Sequence, residues 1–150
     1  MSSESYRYIV RVSGTDLDGA KRFLYALKGI KGVGIRLAQA IIRVTGLNPD
    51  IRMGYVSDQD VKKVEEVLDD PMKFGIPGWM LNRQKDVSLG KDKHFIGNDL
   101  TLITKNDIDD LRKTKSYRGI RHALGLKSRG QHTKTTGRKG QTVGVRRKKR

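Results

Sequence analysis

Apolar residues recur every three or four positions in four segments of the chain, the spacing that places them on one face of a helix. The segments cover residues 17–28, 35 to about 46, 57–69 and 104 to about 117. Thr15 or Asp16 can cap the first segment, and Ser57 with Asp60 forms a weak capping box for the third. Gly46 follows the second segment, at the position where a glycine in the left-handed conformation commonly ends a helix. The pattern predicts a mainly α-helical fold.

Extended or irregular structure is predicted elsewhere. Residues 6–12 are rich in aromatic and β-branched side chains, which favours one short strand or an extended arm. Residues 95–103 predict a hairpin that turns at 97–99. The preceding stretch, from residue 71, is interrupted by Gly and Pro and should be irregular. Its large apolar residues, which should pack back on the core, are Trp79, Met80 and Leu81.

Charge divides the chain into two parts. There are 32 Lys and Arg against 16 Asp and Glu, which gives a net charge of +16. Residues 111–150 contain 15 of the cations and no acid, and from residue 127 onward they contain too few large apolar side chains for a core. We therefore predict a globular domain over 1–110, with a helix-hairpin-helix near 17–45. A helix leading into a long basic extension should occupy 111–150, and its charge favours nucleic acid as a partner.

Several kinds of site are excluded by residues that the chain lacks. It has no Cys, so disulfides, thiolate nucleophiles and Cys-ligated zinc are excluded. Its three His residues, His94, His122 and His132, do not have the spacing of metal ligands. No activated nucleophile or acid–base pair is evident, so we expect neither an enzyme nor a cofactor. The polar N-terminus and the lack of a long apolar run predict a soluble, cytoplasmic protein without membrane contact.

The strongest local motif lies between the first two predicted helices. Residues 30–34 read Ile-Lys-Gly-Val-Gly and are followed by Ala38. Glycines allow a tight turn and close approach to a ligand, and the free N–H groups at the start of the second helix attract an anion. The pattern resembles a helix-hairpin-helix, which contacts nucleic-acid phosphates without reading sequence. The alternative is a Gly-rich turn that has no ligand.

A second motif is the run of cations between residues 117 and 138. Arg and Lys recur every few positions among Gly, Gln and Thr, and an extended chain of this kind can follow a phosphate backbone. The alternative is a solvated tail that binds without specificity. His122 and His132 have no partner carboxylate within 111–150, which favours contact with RNA over general-base catalysis.

Together these motifs resemble ribosomal protein thirteen of the small subunit, a family called S-eighteen in eukaryotes. The resemblance rests on the hairpin, on the Arg-Gly-Ile-Arg-His run at 118–122, on Gly125-Leu126 and on the long run at 129–138. These occur in the family's order, and the resemblance covers nearly the whole chain. Residues 76–87 resemble the insertion of the longer archaeal and eukaryotic form.

The resemblance implies a structural role in the head of the small ribosomal subunit. Family members bind ribosomal RNA, lie beside a neighbouring head protein, contact a large-subunit bridge protein and extend their tail toward peptidyl-site transfer RNA. The implied ribosomal-RNA contacts are Lys31, Gly32, Gly34, Arg36, Arg118, Arg121, His122, Arg129, Gln131, Thr133, Lys134 and Arg138. The implied tail near transfer RNA is Arg146, Arg147, Lys148, Lys149 and Arg150.

Two other functions fit parts of the sequence. In a helix-hairpin-helix DNA glycosylase or lyase, Lys31 followed by Asp50 would match the order of lysine and aspartate. The chain is short for that fold plus a base-flipping pocket, and such an enzyme does not explain the acid-free tail. An architectural DNA-binding protein would bind bulk duplex DNA as well as structured RNA.

Overall fold

Five helices form most of the regular structure in residues 6–87, 89–138, 140 and 144, which the computed structural model describes. The fold is mainly helical, as the apolar pattern predicts. The chain divides into two compact units, residues 1–102 and residues 103–150. In chain order the helices are α1 (Phe23–Leu27), α2 (Ile35–Thr45), α3 (Asp58–Asp69), α4 (Gly97–Lys113) and α5 (Tyr117–Ala123), preceded by the strands β1 (Ile9–Val12) and β2 (Thr15–Asp18).

The two strands form an antiparallel hairpin ahead of α1. Val10 lies opposite Leu17 in the ladder, and both side chains are buried. Ser13 and Gly14 connect the strands with φ of 43° and 74°. A two-residue turn with positive φ at both positions matches the right-handed twist of the strands. The predicted strand at residues 6–12 is confirmed over its second half.

The helix predicted over residues 17–28 is wrong for its first half. Thr15 and Asp16 are in β2 and cap no helix, and α1 covers only Phe23–Leu27. Leu17 is buried while Asp16 and Asp18 are exposed, so this segment follows the period of two that a strand requires. The turn before β2 decides the structure here, because it lets β2 pair with β1.

The core of the first unit lies between the β-hairpin and helices α1, α2 and α3. Residues 51–54 run beside the segment before α1, where Phe23 N–H donates to the Ile51 carbonyl (2.8 Å) and Met53 N–H donates to the Lys21 carbonyl (2.9 Å). The largest fully buried side chains in this core are Phe23, Leu27, Ile30, Ile41, Met53 and Leu68.

The ends of α2 and α3 agree with prediction. Gly46 ends α2 in the left-handed conformation, with φ of 70°. Ser57 caps α3: its Oγ accepts the Asp60 N–H (3.2 Å) and donates to the Asp60 carboxylate (2.8 Å). The hydrogen bond from Lys63 contributes most to lowering the pKa of Asp60, followed by the one from Ser57. The cap therefore fixes where α3 begins.

The segment after α3 corrects one core prediction. Leu81 is buried and Met80 packs against the core, as predicted. Trp79, in a 3-10 turn at Gly78–Met80, is 75% exposed. Ile76 and Leu81 on either side take the core-facing positions, and the turn between them leaves the Trp79 ring in solvent.

The hairpin predicted over residues 95–103 is also wrong. Residues 97–103 are instead the first part of α4, which begins at Gly97, seven residues before the helix start predicted at Thr104. Leu100 N–H donates to the Ile96 carbonyl (3.3 Å), the first bond of the helix. Asn98 and Asp99 suit a first turn, where short polar side chains and negative charge are favoured.

The second unit is built on a close crossing of α4 and α5. A Cβ atom on Gly119 would lie 2.0 Å from the Leu111 carbonyl oxygen, so only glycine permits the approach. The Ser116 hydroxyl donates to the same Leu111 carbonyl (3.0 Å) and accepts the Gly119 N–H (3.1 Å). Arg112 donates to the His122 carbonyl (3.4 Å). These contacts hold α5 against the end of α4.

His94 is a partly buried imidazole in the loop before α4. Its Nδ1 accepts the Asn82 N–H (3.3 Å), so the proton of the neutral ring is on Nε2, which is buried without a partner in the described chain. Burial lowers the pKa of His94. Protonation of Nδ1 would place two donors face to face.

Stability should fall on acidification because of His94. The unfolded chain takes up this proton near pH 6.5, its ordinary pKa, before the folded chain does. The free energy of unfolding should therefore decrease as the pH falls from 7 to 5, by at most about 2 kcal/mol. Urea denaturation at several pH values measures this. His94→Gln should remove this part of the loss, whereas His132→Gln, which keeps His94, should retain it. An unchanged profile in His94→Gln would contradict the assignment.

Candidate nucleic-acid interface

The turn between α1 and α2 is docked against the residues that begin α4. The Lys31 carbonyl accepts the Gly97 N–H (2.8 Å), and the Lys31 ammonium donates to the Thr101 hydroxyl (2.7 Å). Gly32 has φ of 101°, and a Cβ atom there would lie 2.6 Å from the Phe95 carbonyl oxygen. Gly32 therefore serves close packing within the protein, and its predicted contact with ribosomal RNA stays a prediction.

The other glycine of the motif faces open space. Gly34 is the N-cap of α2, with an extended φ of −91°, and a Cβ atom there would meet nothing within 4 Å. In the part of the chain that the structure describes, no side chain caps the helix at this end. Among the described residues, the backbone N–H groups of Ile35, Arg36 and Leu37 have no acceptor. The start of α2 thus presents three parallel donors and the positive end of the helix dipole to solvent.

Buried side chains hold this turn in place. Ile30 and Val33 on the turn, and Leu37 and Ala38 on α2, are all buried in the core of the first unit. Arg36 is exposed beside the open helix end, and it donates to the Gln39 side chain (3.3 Å). The structure therefore brings Lys31, Gly32, Gly34 and Arg36 together at one end of α2.

A second group of predicted residues lies on α5, in the second unit. Arg118, Arg121 and His122 are spaced i, i+3 and i+4, so they share one face of the helix. Arg118 is exposed, while Arg121 donates through Nε to the Lys127 carbonyl (2.9 Å). The hydrogen bond from Arg121 to Lys127 connects α5 to the segment that follows it.

That following segment, residues 127–138, contains no helix or strand. The Arg129 N–H donates to the Gln131 side-chain oxygen (2.9 Å), and glycines at 130 and 137 have φ of 75° and 78°. Nearly every residue in this segment is exposed, including the predicted contacts Arg129, Gln131, Thr133, Lys134 and Arg138. Such a segment offers charged and hydrogen-bonding groups along its length.

Local ion pairs distinguish the cations of α4 from those beyond it. Arg112 pairs with Asp109 (3.1 Å) and Lys113 with Asp110 (3.0 Å). The hydrogen bond to Asp110 raises the pKa of Lys113. Arg118, Lys134 and Arg138 have no such carboxylate partner among the described residues, and the sequence has no acid after Asp110. Their positive charge is therefore available to an external anion.

The described part of the chain contains no cluster of three or more His, Asp or Glu side chains that could hold a metal ion. Its helices include none that is both long and apolar enough to cross a membrane.

The match to known proteins covers both groups of residues. A family model described as ribosomal protein S13/S18 matches residues 11–139. The chain belongs to this family. It is similar to small ribosomal subunit protein uS13 of Staphylothermus marinus (54% identical over 149 residues, 99% of each chain) and of Methanocaldococcus jannaschii (53% over 150 residues, 100% of each chain). It is also similar to uS13 of Thermofilum pendens (52% over 149 residues, 99% of this chain and 94% of that one). The predicted membership of this small-subunit family is confirmed.

The residues that pack against the α1–α2 turn were not predicted from the sequence. Phe95, Ile96 and Thr101 hold the turn of this S13/S18 protein, but the expected β-hairpin over 95–103 assigned these residues to another structure. A signal was present, because Leu100, Ile103 and Ile108 have helical spacing.

The two glycines of the turn should respond differently to alanine. Gly32→Ala combines a positive φ with a 2.6 Å contact to backbone and should lower the free energy of unfolding by about 2 kcal/mol or more. Gly34→Ala is the matched control, and it should cost less than about 1 kcal/mol, since the site is open and extended. Urea denaturation compares the two, and equal losses would contradict the packing role of Gly32.

Proposed function

We propose that this chain is a structural component of the small ribosomal subunit that binds ribosomal RNA with its α1–α2 turn and its basic C-terminal part. The observation that carries the proposal is the uncapped start of α2. It stays accessible because the α1–α2 turn packs against the residues that begin α4. We interpret α1, the turn and α2 as a helix-hairpin-helix. Family membership supports this function, because the similar proteins are small ribosomal subunit proteins.

At the first surface, the proposed ligand is one backbone phosphate. The N–H groups of Ile35, Arg36 and Leu37 point out of the helix end, and a phosphate oxygen can accept from them in the field of the helix dipole. Arg36 adds a charged donor at the same end. The Lys31 ammonium donates to Thr101 and the Lys31 carbonyl accepts the Gly97 N–H, so both groups hold the turn. From this position the charge of Lys31 attracts the phosphate. These contacts position RNA without reading its sequence.

At the second surface, we propose contacts from α5 and from the segment after it. Arg118, Arg121 and His122 supply one helix face, and residues 129–138 supply an extended strand of donors. An RNA chain is the matching partner, because its phosphates satisfy the cations and its 2′-hydroxyls accept from polar side chains such as Gln131. The unpaired positive charge of this unit supports the proposal.

We further propose that the protein lies in the head of the subunit in the cytoplasm, beside another head protein and near a large-subunit bridge protein. The similarity to uS13 proteins supports this placement. The contact with peptidyl-site transfer RNA assigned to residues 146–150 falls outside the described residues and stays a prediction.

A DNA glycosylase or lyase is disfavoured by the partners of its two key residues. The Lys31 ammonium donates to Thr101 (2.7 Å), and Asp50 pairs with Arg22 (3.4 Å). The two side chains thus have other partners. A catalytic lysine would instead need a nearby aspartate and a pocket for a flipped base.

Filling the open end of α2 should weaken RNA binding without unfolding the protein. Gly34→Asp places a carboxylate where it can accept the free N–H groups, so stability should stay equal or rise by up to about 1 kcal/mol. The same carboxylate repels phosphate, and affinity for small-subunit ribosomal RNA should fall by about 10- to 100-fold. Filter binding at fixed salt, with urea denaturation in parallel, measures both quantities.

Gly34→Asn separates the two causes of this loss. It caps the helix without charge, so its affinity should lie between those of the wild type and Gly34→Asp. If Gly34→Asp folds and binds this RNA as tightly as the wild type, the start of α2 is not a phosphate site.

Removing charge from the second surface should impair assembly. The triple variant Arg129→Ala, Lys134→Ala and Arg138→Ala should lower the occupancy of the protein in small subunits sedimented after a high-salt wash. Its slope of log affinity against log salt should decrease in magnitude by about 2–3, since each lost phosphate contact removes ~0.7–0.9. The control replaces Lys62, Lys73 and Lys91, three exposed cations of the first unit, by Ala.

Full occupancy of the triple variant would show that the charges of Arg129, Lys134 and Arg138 are dispensable for assembly. A control variant that loses occupancy to the same extent would show that net charge alone is responsible.

A further inference from the structure

An exposed groove lies on the solvent side of α2 and extends along the helix from Arg36 to Val44. One wall is the outer face of the helix, and the other is formed by residues 75–80, which follow α3. Its volume is about 610 Å³, within the range that takes a small molecule or a single base. Its lining is Arg36, Gln39, Ala40, Arg43, Val44, Gly75, Ile76, Pro77, Trp79 and Met80.

The groove combines an aromatic ring with positive charge. Trp79 is 75% exposed, so a large apolar ring is in contact with solvent. Arg36 and Arg43 stand on the opposite wall, seven residues and thus about 10 Å apart along the helix. No carboxylate is among the described lining residues, and Arg43 has no ion-pair partner in the described chain. The charge of the groove is therefore positive and unbalanced.

The Trp79 ring is presented by a fixed backbone. Met80 N–H donates to the Pro77 carbonyl (3.0 Å), Leu81 N–H donates to the Gly78 carbonyl (3.1 Å), and Gln84 donates to the Trp79 carbonyl (3.1 Å). Buried Ile76 and Leu81 anchor the turn on both sides. Because the backbone that carries the Trp79 ring is already ordered, little conformational freedom is lost when a ligand packs on the ring.

We propose that this groove binds an unpaired RNA base, which stacks on Trp79 while its flanking phosphates contact Arg36 and Arg43. An aromatic face beside guanidinium groups is the combination that single-stranded RNA uses, because every base has a π-face and every nucleotide has a phosphate. The charge complementarity favours RNA over a protein helix, for which the two unpaired guanidinium groups would require acidic partners. This inference rests on the proposed RNA binding and adds a second contact site to α2.

The test uses the fluorescence of the full chain, which contains a single Trp. The probe is an oligoadenylate of about twelve nucleotides, compared with a strand of equal length that has the same phosphates and no bases. Oligoadenylate should quench Trp79 emission, and the abasic strand should leave it unchanged. Arg43→Ala should raise the dissociation constant read from Trp79 quenching by about tenfold. Lys62→Ala, which removes an exposed cation from α3, should leave it unchanged.

Three results would overturn the proposal. Trp79 emission could stay constant while the anisotropy of a labelled oligoadenylate shows that the strand is bound. The abasic strand could quench as strongly as oligoadenylate. Emission could also change only on incorporation into small subunits and stay changed after ribonuclease digestion, which would assign the groove to a protein neighbour. The first result leaves the proposed function intact, whereas failure of the chain to bind small-subunit ribosomal RNA at all would refute that function itself.

Discussion

The contact between the α1–α2 turn and the start of α4 determines how the candidate interface is presented. Lys31 holds Gly97 with its carbonyl and Thr101 with its ammonium, and Gly32 allows the Phe95 carbonyl to approach. The start of α4 thereby supports the turn, and Gly34, which has no close neighbour, leaves the N-terminal end of α2 open. Two glycines two positions apart thus have different roles, one in packing and one in access.

Charge supplements this geometry in two ways. In the first unit the carboxylates largely balance the cations, so the proposed phosphate contact there depends on where the N–H donors are placed. In the second unit Arg112 and Lys113 pair with Asp109 and Asp110, whereas the sequence after them contains no carboxylate. The attraction of these later cations acts over about 8–10 Å at physiological salt. The proposed RNA binding therefore uses long-range attraction in the second unit and short, directed hydrogen bonds in the first.

Sequence reasoning succeeded where local chemistry decided the structure. Ser57 and Asp60 define the start of α3, and Gly46 defines the end of α2, because caps act within one turn of the helix. It failed where tertiary pairing decided. Leu17 fits a helical face, yet it lies in β2, which pairs with β1. Residues 97–103 form the start of α4, whose first turn packs on the α1–α2 turn.

The candidate site divides along the same line. The positions of Gly34 and Arg36 follow from the motif alone, since any helix that begins there exposes its N–H groups. The packing role of Gly32 depends on Phe95, more than sixty residues away, and no local pattern contains that information. The exposure of Trp79 depends on Ile76 and Leu81 taking the core positions around it.

Amide hydrogen exchange at the start of α2 tests the central claim most directly. In the free protein the N–H groups of Ile35, Arg36 and Leu37 should exchange fast, while that of Ala38, which is bonded to the Gly34 carbonyl (2.9 Å), is protected. On binding small-subunit ribosomal RNA, the first three should become protected and Ala38 should change little. Exchange of these three at their free-state rates in the fully formed complex would contradict the account.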